Sequence, residues 1–261
     1  MKFICQQSAL SELERLRDSD RHSVLIEGVS GCGKTYLAKQ YSKMLNIPDF
    51  QIIEPNVNSI RESIEICMNL DHPIVLCIEN LDRGVPAASY TILKNLEEPQ
   101  SNIYIIITCR SSKGVPDTIV SRSVCLLTSP PVDSDIESYA MNKDSSKYSI
   151  FKQYPIWRSV RSFNDVDTLF NTTQDKLDYL VNYPKLIHSN DPVSTIQWNM
   201  GHYPDNSEVP MLLAIRYLMN VTDNMYIKKS CIECLNDMNK GRIAQHAALA
   251  KLIIECKYGG Y

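Results

Sequence analysis

The segment Gly28–Thr35, with the sequence GVSGCGKT, restricts the possible folds of this chain more than any other stretch. It matches in full the pattern of glycine, four residues, glycine, lysine, and serine or threonine. The apolar run SVLIE precedes it and the amphipathic run KTYLAKQY follows it. An apolar run that ends in glycine is typical of a buried strand entering a turn, and the second run has helical spacing. The sequence therefore predicts a strand–loop–helix unit of an α/β protein.

Each part of this loop suits the binding of phosphate. Glycines allow backbone N–H groups to close around phosphate oxygens, and the positive end of the following helix points at them. Lys34 supplies a charge for the β- and γ-phosphates, and Thr35 offers a hydroxyl group to Mg²⁺. Cys32 is interpreted as a small residue that the loop tolerates, not as a nucleophile. The predicted nucleotide contacts are Gly28, Ser30, Gly31, Gly33, Lys34 and Thr35.

Strand and helix patterns alternate through the first half of the chain. Residues 6–17, QQSALSELERLR, have helical spacing, and so do KTYLAKQYSKMLNI, SIRESIEICMNL and PAASYTILKNLEEP. The strand candidates are SVLIEGV, FQIIEP, PIVLCIEN and NIYIIITC, and VPDTIVSRSVCLLTSPP closes the region. This alternation predicts a parallel sheet with helices on both faces.

The pair Pro130–Pro131 marks the end of the α/β pattern. After it, DSDIESYAM, SFNDVDTLFN and QDKLDYLVNY have helical spacing, and HSNDPVS marks a second break. The remaining helical patterns are VPMLLAIRYLMNV, NMYIKKSCIECLNDM and RIAQHAALAKLIIECK. We therefore predict three domains: a nucleotide-binding α/β domain over residues 1–131, a small helical domain over 132–190, and a C-terminal helical domain over 191–261.

Composition excludes several classes of protein. The formal net charge of −3 over 261 residues gives no general attraction to nucleic acid, so any DNA contact requires a local basic patch. No apolar run approaches the roughly 20 residues that span a bilayer, and the start MKFICQQSALSELERL lacks the apolar core of a signal peptide. These features predict a soluble, cytoplasmic protein without a membrane partner.

The nine cysteines favour packed thiols over a disulfide or zinc framework. Cys77 and Cys109 lie in apolar strand patterns, and Cys67 lies in a helical one. Cys231 and Cys234 form a CxxC, but their context predicts positions i and i+3 of a helix. No second CxxC or CxxH completes a set of four zinc ligands.

In a second run, IVLCIENLDRGVPAASYTILKNLEEP, the predicted strand at the start ends in an acid and an amide, Glu79 and Asn80. Together with NIYIIITCRSSKGVPDTIVSRSV, it resembles the ATPase subunits of replicative clamp loaders, within the AAA+ superfamily. LKNLEEP (93–99) and TIVSRS (118–123) carry the resemblance, which covers residues 23–130. It implies a P-loop AAA+ parallel sheet flanked by helices, then a small helical lid domain and a C-terminal helical, collar-like domain.

The resemblance also implies roles for individual residues. Glu79 matches the family's aspartate on the Mg²⁺ side. Asn80 matches the family's glutamate that orients the attacking water, and Asp82 matches a later aspartate. Thr108 matches the sensor near the γ-phosphate. Arg122, within SRS, matches the arginine finger that reaches the ATP of a neighbouring subunit. ATP and Mg²⁺ are thus the expected ligands, with Thr35 and Glu79 on the metal.

The chain departs from the family pattern at several positions. Asn80 cannot accept a proton, and general-base catalysis contributes roughly 10²–10⁴-fold. A neutral side chain can nevertheless orient a water, as glutamine does in some GTPases. Ser123 replaces the family's cysteine, and in NYPKLIHS (182–189) the closest candidate for the lid sensor is Lys185 instead of an arginine. We expect tight ATP binding and weak ATP hydrolysis that rises in the assembled complex.

The implied partners are other clamp-loader subunits in a ring, the sliding clamp and primer–template DNA. Four basic residues follow the sheet strands, where such a ring faces DNA: Arg83, Lys94, Arg110 and Lys113. In YPIWRSVRSFNDV, the helical spacing of Trp157, Val160 and Phe163 favours a lid core over a nucleic-acid contact. The stripe Ile243, Ala247, Ala250 and Ile254 suits either a collar or the core of a small domain.

Three functions remain open from the sequence. The first is a DNA-dependent ATPase subunit of a clamp loader, which opens the clamp and loads it during replication. The second is a stator like the family's delta-prime subunit, which hydrolyses nothing and offers Arg122 to a neighbour. The third is an AAA+ helicase loader, which LKNLEEP and SRS disfavour. The compact length and the missing zinc cluster favour a version from a phage or another mobile element.

Overall fold

The computed structural model describes residues 6–19, 21–173, 211–239, 251, 252, 254 and 255. The chain divides into two compact units, Met1–Asp135 and Ile136–Tyr261. The predicted break between a lid and a collar at residues 190 and 191 lies outside the described residues, so this division stays a prediction.

The first unit contains a five-stranded parallel sheet in the order β2-β3-β4-β1-β5. Its strands are β1 (Ser23–Glu27), β2 (Phe50–Ile53), β3 (Ile74–Ile78), β4 (Ile103–Cys109) and β5 (Val124–Leu127). The central strands β1, β3 and β4 are almost wholly buried, whereas the edge strands β2 and β5 are partly exposed. This burial explains why the central strands have continuous apolar runs.

Helices cover both faces of the sheet, which confirms the predicted α/β class. They are α1 (Gln7–Arg17), α2 (Lys34–Met44), α3 (Val57–Cys67), α4 (Pro86–Glu97) and the short α5 (Asp117–Val120). Alternate strand residues pack on opposite faces: Leu76 and Ile78 contact the core under α3 and α4, and Val75 and Cys77 contact the core under α1 and α2. Burial raises the pKa of the Cys77 and Cys109 thiols to about 12, consistent with packed, protonated groups.

The second unit is helical in its described parts. It contains α6 (Asp133–Lys143), which begins just before the unit boundary, α7 (Ser145–Phe151), α8 (Phe163–Phe170) and the helices Met211–Val221 and Met225–Asn239. Val160 is buried in its apolar core, Trp157 packs against that core, and Phe163 is buried with its ring 4.9 Å from that of Tyr139. The predicted packing roles of the three side chains are thus confirmed, although Trp157 is only partly buried. They do not lie on one helix, however, because a 3₁₀ turn covers Pro155–Ser159 and α8 starts only after its cap at Ser162.

Two further predictions concern the second unit. Cys231 and Cys234 are buried one turn apart on the helix Met225–Asn239, which confirms their predicted helical positions. Lys185 and the stripe residues Ile243, Ala247 and Ala250 lie outside the described residues.

Within the described ranges, the chain has no cluster of three or more His, Cys, Asp or Glu side chains placed to hold a metal ion. Nor does any helix in those ranges have the length and apolarity required to cross a membrane.

Candidate functional site

Three chain segments meet at the carboxyl edge of the sheet. The glycine-rich loop follows β1, the turn with Glu79 and Asn80 follows β3, and Thr108 lies near the end of β4 between them. The register pairs Ile26 with Thr108 and Ile78 with Ile107, so the three segments start at the same height. In open parallel α/β sheets this edge is where ligands bind.

The loop after β1 has the backbone of a phosphate-binding turn. Gly31 and Gly33 have φ angles of 76° and 95°, a left-handed region that side chains with a Cβ rarely adopt. Helix α2 then begins at Lys34, so its free N–H groups open onto the loop. Lys34 is only 7% exposed, and its Nζ donates to the carbonyl oxygens of Gly28 at 2.8 Å and Val29 at 2.9 Å. The lysine charge is therefore held inside the turn.

The base of the loop is closely packed against the end of β5. A Cβ at Gly28 would lie 1.7 Å from the hydroxyl oxygen of Thr128, which leaves room only for glycine. The Thr128 hydroxyl donates its one hydrogen to the carbonyl of Glu27 at 2.9 Å. The Cys32 thiol lies 3.0 Å from the same hydroxyl, so in this second hydrogen bond the thiol is the donor. Cys32 is fully buried. Its thiol thus has a packing role within the loop.

The two residues predicted to bind Mg²⁺ lie in contact. The hydroxyl of Thr35, in the first turn of α2, donates to the Oε1 atom of Glu79, which follows β3. A hydroxyl and a carboxylate are oxygen ligands of the kind that Mg²⁺ accepts. The pair therefore fits a magnesium ion beside the loop that would hold the phosphates.

Asn80 has an unusual backbone conformation. Its φ and ψ are 53° and 49°, a left-handed conformation that asparagine tolerates better than most residues. Among the described residues, the other non-glycine residue with positive φ is also an asparagine, Asn46. The Asn80 N–H donates to the hydroxyl oxygen of Thr108 at 3.0 Å, and Thr108 is 1% exposed. The predicted sensor is therefore tied to the backbone of the acid–amide turn.

Arg122 lies at the opposite edge of the same sheet. It lies two residues before the start of β5, and its carbonyl accepts from the hydroxyl of Ser23, the first residue of β1, at 2.6 Å. The five residues of β1 separate this edge from the phosphate loop by about 16 Å. The guanidinium binds Glu97 at 2.8 Å and the carbonyl of Thr118 at 2.9 Å. The structure thus brings together the other predicted site residues and leaves Arg122 apart.

The four basic residues predicted to face DNA differ in their exposure to solvent. Arg83, Lys94 and Lys113 are exposed, whereas Arg110 is partly buried and its Nε has no hydrogen-bond partner among the described residues. Arg83 lines a cleft of about 460 Å³ at the ends of β2 and β3, together with Glu54, Glu79 and Asn80. The cleft therefore mixes both signs of charge.

Sequence reasoning missed several residues around the site. Thr128 contacts Gly28 across 100 positions of the chain, and no local pattern indicates such a contact. Asp82 matched a family position, but its environment was not predicted: burial raises the pKa of its carboxyl group, and its Oδ1 has no hydrogen-bond partner among the described residues.

Comparison with known proteins finds a family model and solved structures that resemble this chain. The family model for DNA polymerase III, delta subunit, matches residues 46–131. A solved structure of a DNA polymerase III gamma subunit-related protein from Thermotoga maritima matches with a TM-score of 0.61 and 15% identity, over 95% of this chain and 98% of that one. A RuvB mutant from Thermotoga maritima matches with a TM-score of 0.52 and 13% identity, over 96% of this chain and 81% of that one.

A second RuvB structure, described as a Holliday junction branch migration motor, has a TM-score of 0.51 and 13% identity, over 96% of this chain and 81% of that one. A search of curated proteins gives no match. The structural matches, at 13–15% identity, confirm the predicted α/β fold with its parallel sheet, and the family model covers 86 of the 261 residues.

Proposed function

We propose that this chain is an ATP-binding AAA+ subunit of a clamp loader, which opens the sliding clamp and loads it onto primer–template DNA during replication. The observation that carries the proposal is the contact between Thr35 of a complete phosphate loop and Glu79. The family match over residues 46–131 adds the link to replication. A phage or another mobile element is the proposed source, because no zinc-binding cysteine cluster follows the loop in the sequence.

In the proposed site, the chain binds the phosphates by its loop backbone and by Lys34. The lysine Nζ now donates to two loop carbonyls, and it is held close enough to exchange one of them for a phosphate oxygen. Thr35 and Glu79 would hold Mg²⁺, which neutralises charge on the β- and γ-phosphates when bound. Thr108 would lie near the γ-phosphate, and its hydrogen bond with the Asn80 N–H would couple the phosphate to the turn at Asn80.

Hydrolysis in this site is proposed to be slow. The Asn80 amide can orient a water molecule but cannot take its proton, which forgoes a contribution of roughly 10²–10⁴-fold. The site keeps its positioning groups and its charge, which supply most of the catalysis in phosphoryl transfer. The expected behaviour is therefore tight ATP binding and slow turnover, faster in the complex with partner subunits, clamp and DNA.

Arg122 is proposed to act on the nucleotide of a neighbouring subunit. Its position about 16 Å from its own phosphate loop supports this, because it cannot serve both edges of the sheet. Its ion pair with Glu97 joins two side chains that are 36% and 51% exposed. Exposed pairs contribute little stability, so a phosphate can replace the Glu97 carboxylate at low cost.

A stator subunit of the same complex is the second candidate, and Asn80 is the observation that favours it. The intact loop, with Lys34 and Thr35 in place, counts against a subunit that binds no nucleotide. A helicase loader is the third candidate, and the family match over LKNLEEP and SRS counts against it.

Nucleotide binding by the purified chain separates these candidates. We expect saturable binding of ATP, weakened about 100-fold by Lys34→Ala, since charge-assisted hydrogen bonds are among the strongest polar contacts. Lys43→Ala, an exposed lysine on the same helix, is the control and should bind as the wild type does. Absence of saturable binding in the wild type would favour the stator.

Association with a clamp tests the rest of the proposal. The chain should co-purify with a sliding clamp and with other loader subunits when these are expressed together. In that complex, Arg122→Ala should lower ATP turnover about 10³-fold without changing ATP binding by the chain itself, because arginine fingers contribute at least that much. Failure to associate with any clamp or loader subunit would refute the clamp-loader function.

A further inference from the structure

A buried glutamine from the start of α1 joins the phosphate loop to the end of β5. Gln6 is 1% exposed. Its Nε2 donates to the carbonyl of Cys32 at 3.2 Å and to the carbonyl of Ser129 at 2.8 Å. Its Oε1 accepts from the Ser129 N–H at 3.2 Å, which fixes the orientation of the amide. Both amide hydrogens and the amide oxygen are thus used.

The position of Gln6 is fixed independently of the loop. Its own carbonyl accepts from the Leu10 N–H at 2.9 Å, which makes it the residue before the first turn of α1. Ala9 and Leu13 of that helix are buried in the core that α1 and α2 share with the sheet. A packed helix therefore holds the Gln6 amide in place before any ligand binds.

The Cys32 carbonyl, which accepts a hydrogen bond from Gln6, lies where the loop backbone has most freedom to rotate. Cys32 stands between Gly31 and Gly33, the two residues with left-handed backbone, where the chain has most freedom to rotate. In a trans peptide the C=O of one residue and the N–H of the next point in opposite directions. Because the Cys32 carbonyl points to Gln6, the Gly33 N–H points to the other side of the loop.

We propose that Gln6 is a positioning residue for phosphate binding: it holds the Cys32–Gly33 peptide so that the Gly33 N–H faces the nucleotide phosphates. This inference rests on the proposed binding of ATP by the loop. Without Gln6, the peptide between the two left-handed glycines can rotate, and the loop must order this donor when the phosphate arrives.

Gln6→Met tests this role, because methionine is close in shape and length but forms none of the three hydrogen bonds. Gln7→Met is the matched control, since Gln7 is the exposed neighbouring residue. We expect Gln6→Met to weaken ATP binding about tenfold, in line with the loss of one orienting hydrogen bond and an orphaned carbonyl. Gln7→Met should bind ATP as the wild type does.

Inorganic tripolyphosphate, measured as a competitor of ATP, separates positioning from other roles. Gln6→Met should weaken tripolyphosphate and ATP by the same factor, because the loop contacts only the phosphates. An unchanged affinity for tripolyphosphate with weaker ATP binding would place the effect at the base or the sugar and overturn the inference. Thermal unfolding of each variant confirms that binding is measured well below its midpoint.

A second variant tests the donor function alone. Gln6→Glu keeps an acceptor for the Ser129 N–H but has no donor for the Cys32 carbonyl, so it should bind as weakly as Gln6→Met. ATP binding by Gln6→Glu equal to that of the wild type would overturn the inference. If Gln6→Met does not fold, Gln6→Asn takes its place, because its amide is one methylene too short to reach Cys32.

ATP binding by the wild type shows whether the role of Gln6 alone or the proposed function as a whole is wrong. Saturable ATP binding that depends on Lys34, combined with full binding by Gln6→Met, overturns the role of Gln6 alone. Absence of ATP binding by the wild type overturns both.

Discussion

The turns after β1 and after β3 reach the same edge of the sheet, on either side of β4, and both contain left-handed backbone. In the phosphate loop the left-handed positions are Gly31 and Gly33, and the residues proposed to touch the ligand as side chains, Lys34 and Thr35, have ordinary helical backbone. Backbone shape and side-chain chemistry are thus assigned to different residues. In the turn after β3 they coincide at one residue, Asn80.

This difference changes how Asn80 is interpreted. Asparagine is one of the few residues with a side chain that adopts φ near 53° at low cost, so the backbone alone is a sufficient reason for its presence. A glutamate at the same backbone angles would carry strain of about 1–2 kcal/mol. The Asn80 amide therefore suits the backbone of the turn, and under the proposed function it is a weaker catalytic group than glutamate. In the phosphate loop, glycines supply the left-handed backbone, so Lys34 and Thr35 keep helical backbone.

The largest effect is expected at the base of the phosphate loop. Gly28→Ala places a Cβ 1.7 Å from the Thr128 hydroxyl, and such overpacking should lower the free energy of unfolding by about 3 kcal/mol and weaken ATP binding. Chemical denaturation measures the first effect and ATP titration the second. In Gly28→Ala combined with Thr128→Ala, the loss should be smaller than the sum of the two single losses, because the clashing atom is removed. An unchanged unfolding midpoint for Gly28→Ala would contradict the close packing.

The next effect concerns the carboxylate that is absent at position 80, where the chain has Asn80. Asn80→Glu should raise ATP turnover in the assembled complex about 100-fold, since it restores a proton acceptor, and should lower the free energy of unfolding by about 1 kcal/mol through backbone strain. Steady-state phosphate release and chemical denaturation measure the two effects.

Asn80→Gln is the matched control for this prediction. It has the length of glutamate and the same strained backbone but no charge, so its turnover should stay at the wild-type level. A wild type that already turns over quickly, with no gain from Asn80→Glu, would show that Asn80 does not limit hydrolysis.

A smaller effect is expected where the two turns touch. Thr35→Val keeps the branched shape but removes the hydroxyl that contacts Glu79, so binding of ATP with Mg²⁺ should weaken about tenfold. Thr35→Ser keeps the hydroxyl and should bind normally. The same titrations with EDTA provide the contrast, because a metal ligand matters only when Mg²⁺ is present. An equal loss in EDTA would assign the hydroxyl to the structure of the turn instead of to the metal.

The parallel sheet was predictable because its central strands are buried on both faces. β1, β3 and β4 have uninterrupted apolar runs, and the complete loop motif requires a strand before it and a helix after it. The edge strand β2 is shorter than its predicted run, FQIIEP, since it ends at Ile53 before Pro55. Proline cannot supply the N–H that a longer ladder would need.

The remainder depends on contacts between distant parts of the chain. Gly28 meets Thr128 and Gln6 reaches both Cys32 and Ser129, and neither contact follows from local spacing. The family resemblance predicted Thr35 and Glu79 as metal ligands, and the two side chains are in contact. The resemblance contained no information on the left-handed backbone of Asn80 or on the partner of Arg122. Such features depend on the three-dimensional path of the backbone, which the order of residue types does not specify locally.

The smallest effect on stability is expected for Asn80→Gly, which separates the backbone conformation of Asn80 from the proposed role of its amide in hydrolysis. Glycine adopts the left-handed conformation freely and keeps the N–H that donates to Thr108, so the free energy of unfolding should change by no more than about 0.5 kcal/mol. If the amide orients the attacking water, turnover in the complex should nevertheless fall, by about tenfold, while ATP binding stays unchanged. Steady-state turnover and ATP titration of the same preparation measure both. Unchanged turnover would mean that Asn80 serves the backbone alone, and the turn after β3 would then divide its tasks between residues as the phosphate loop does.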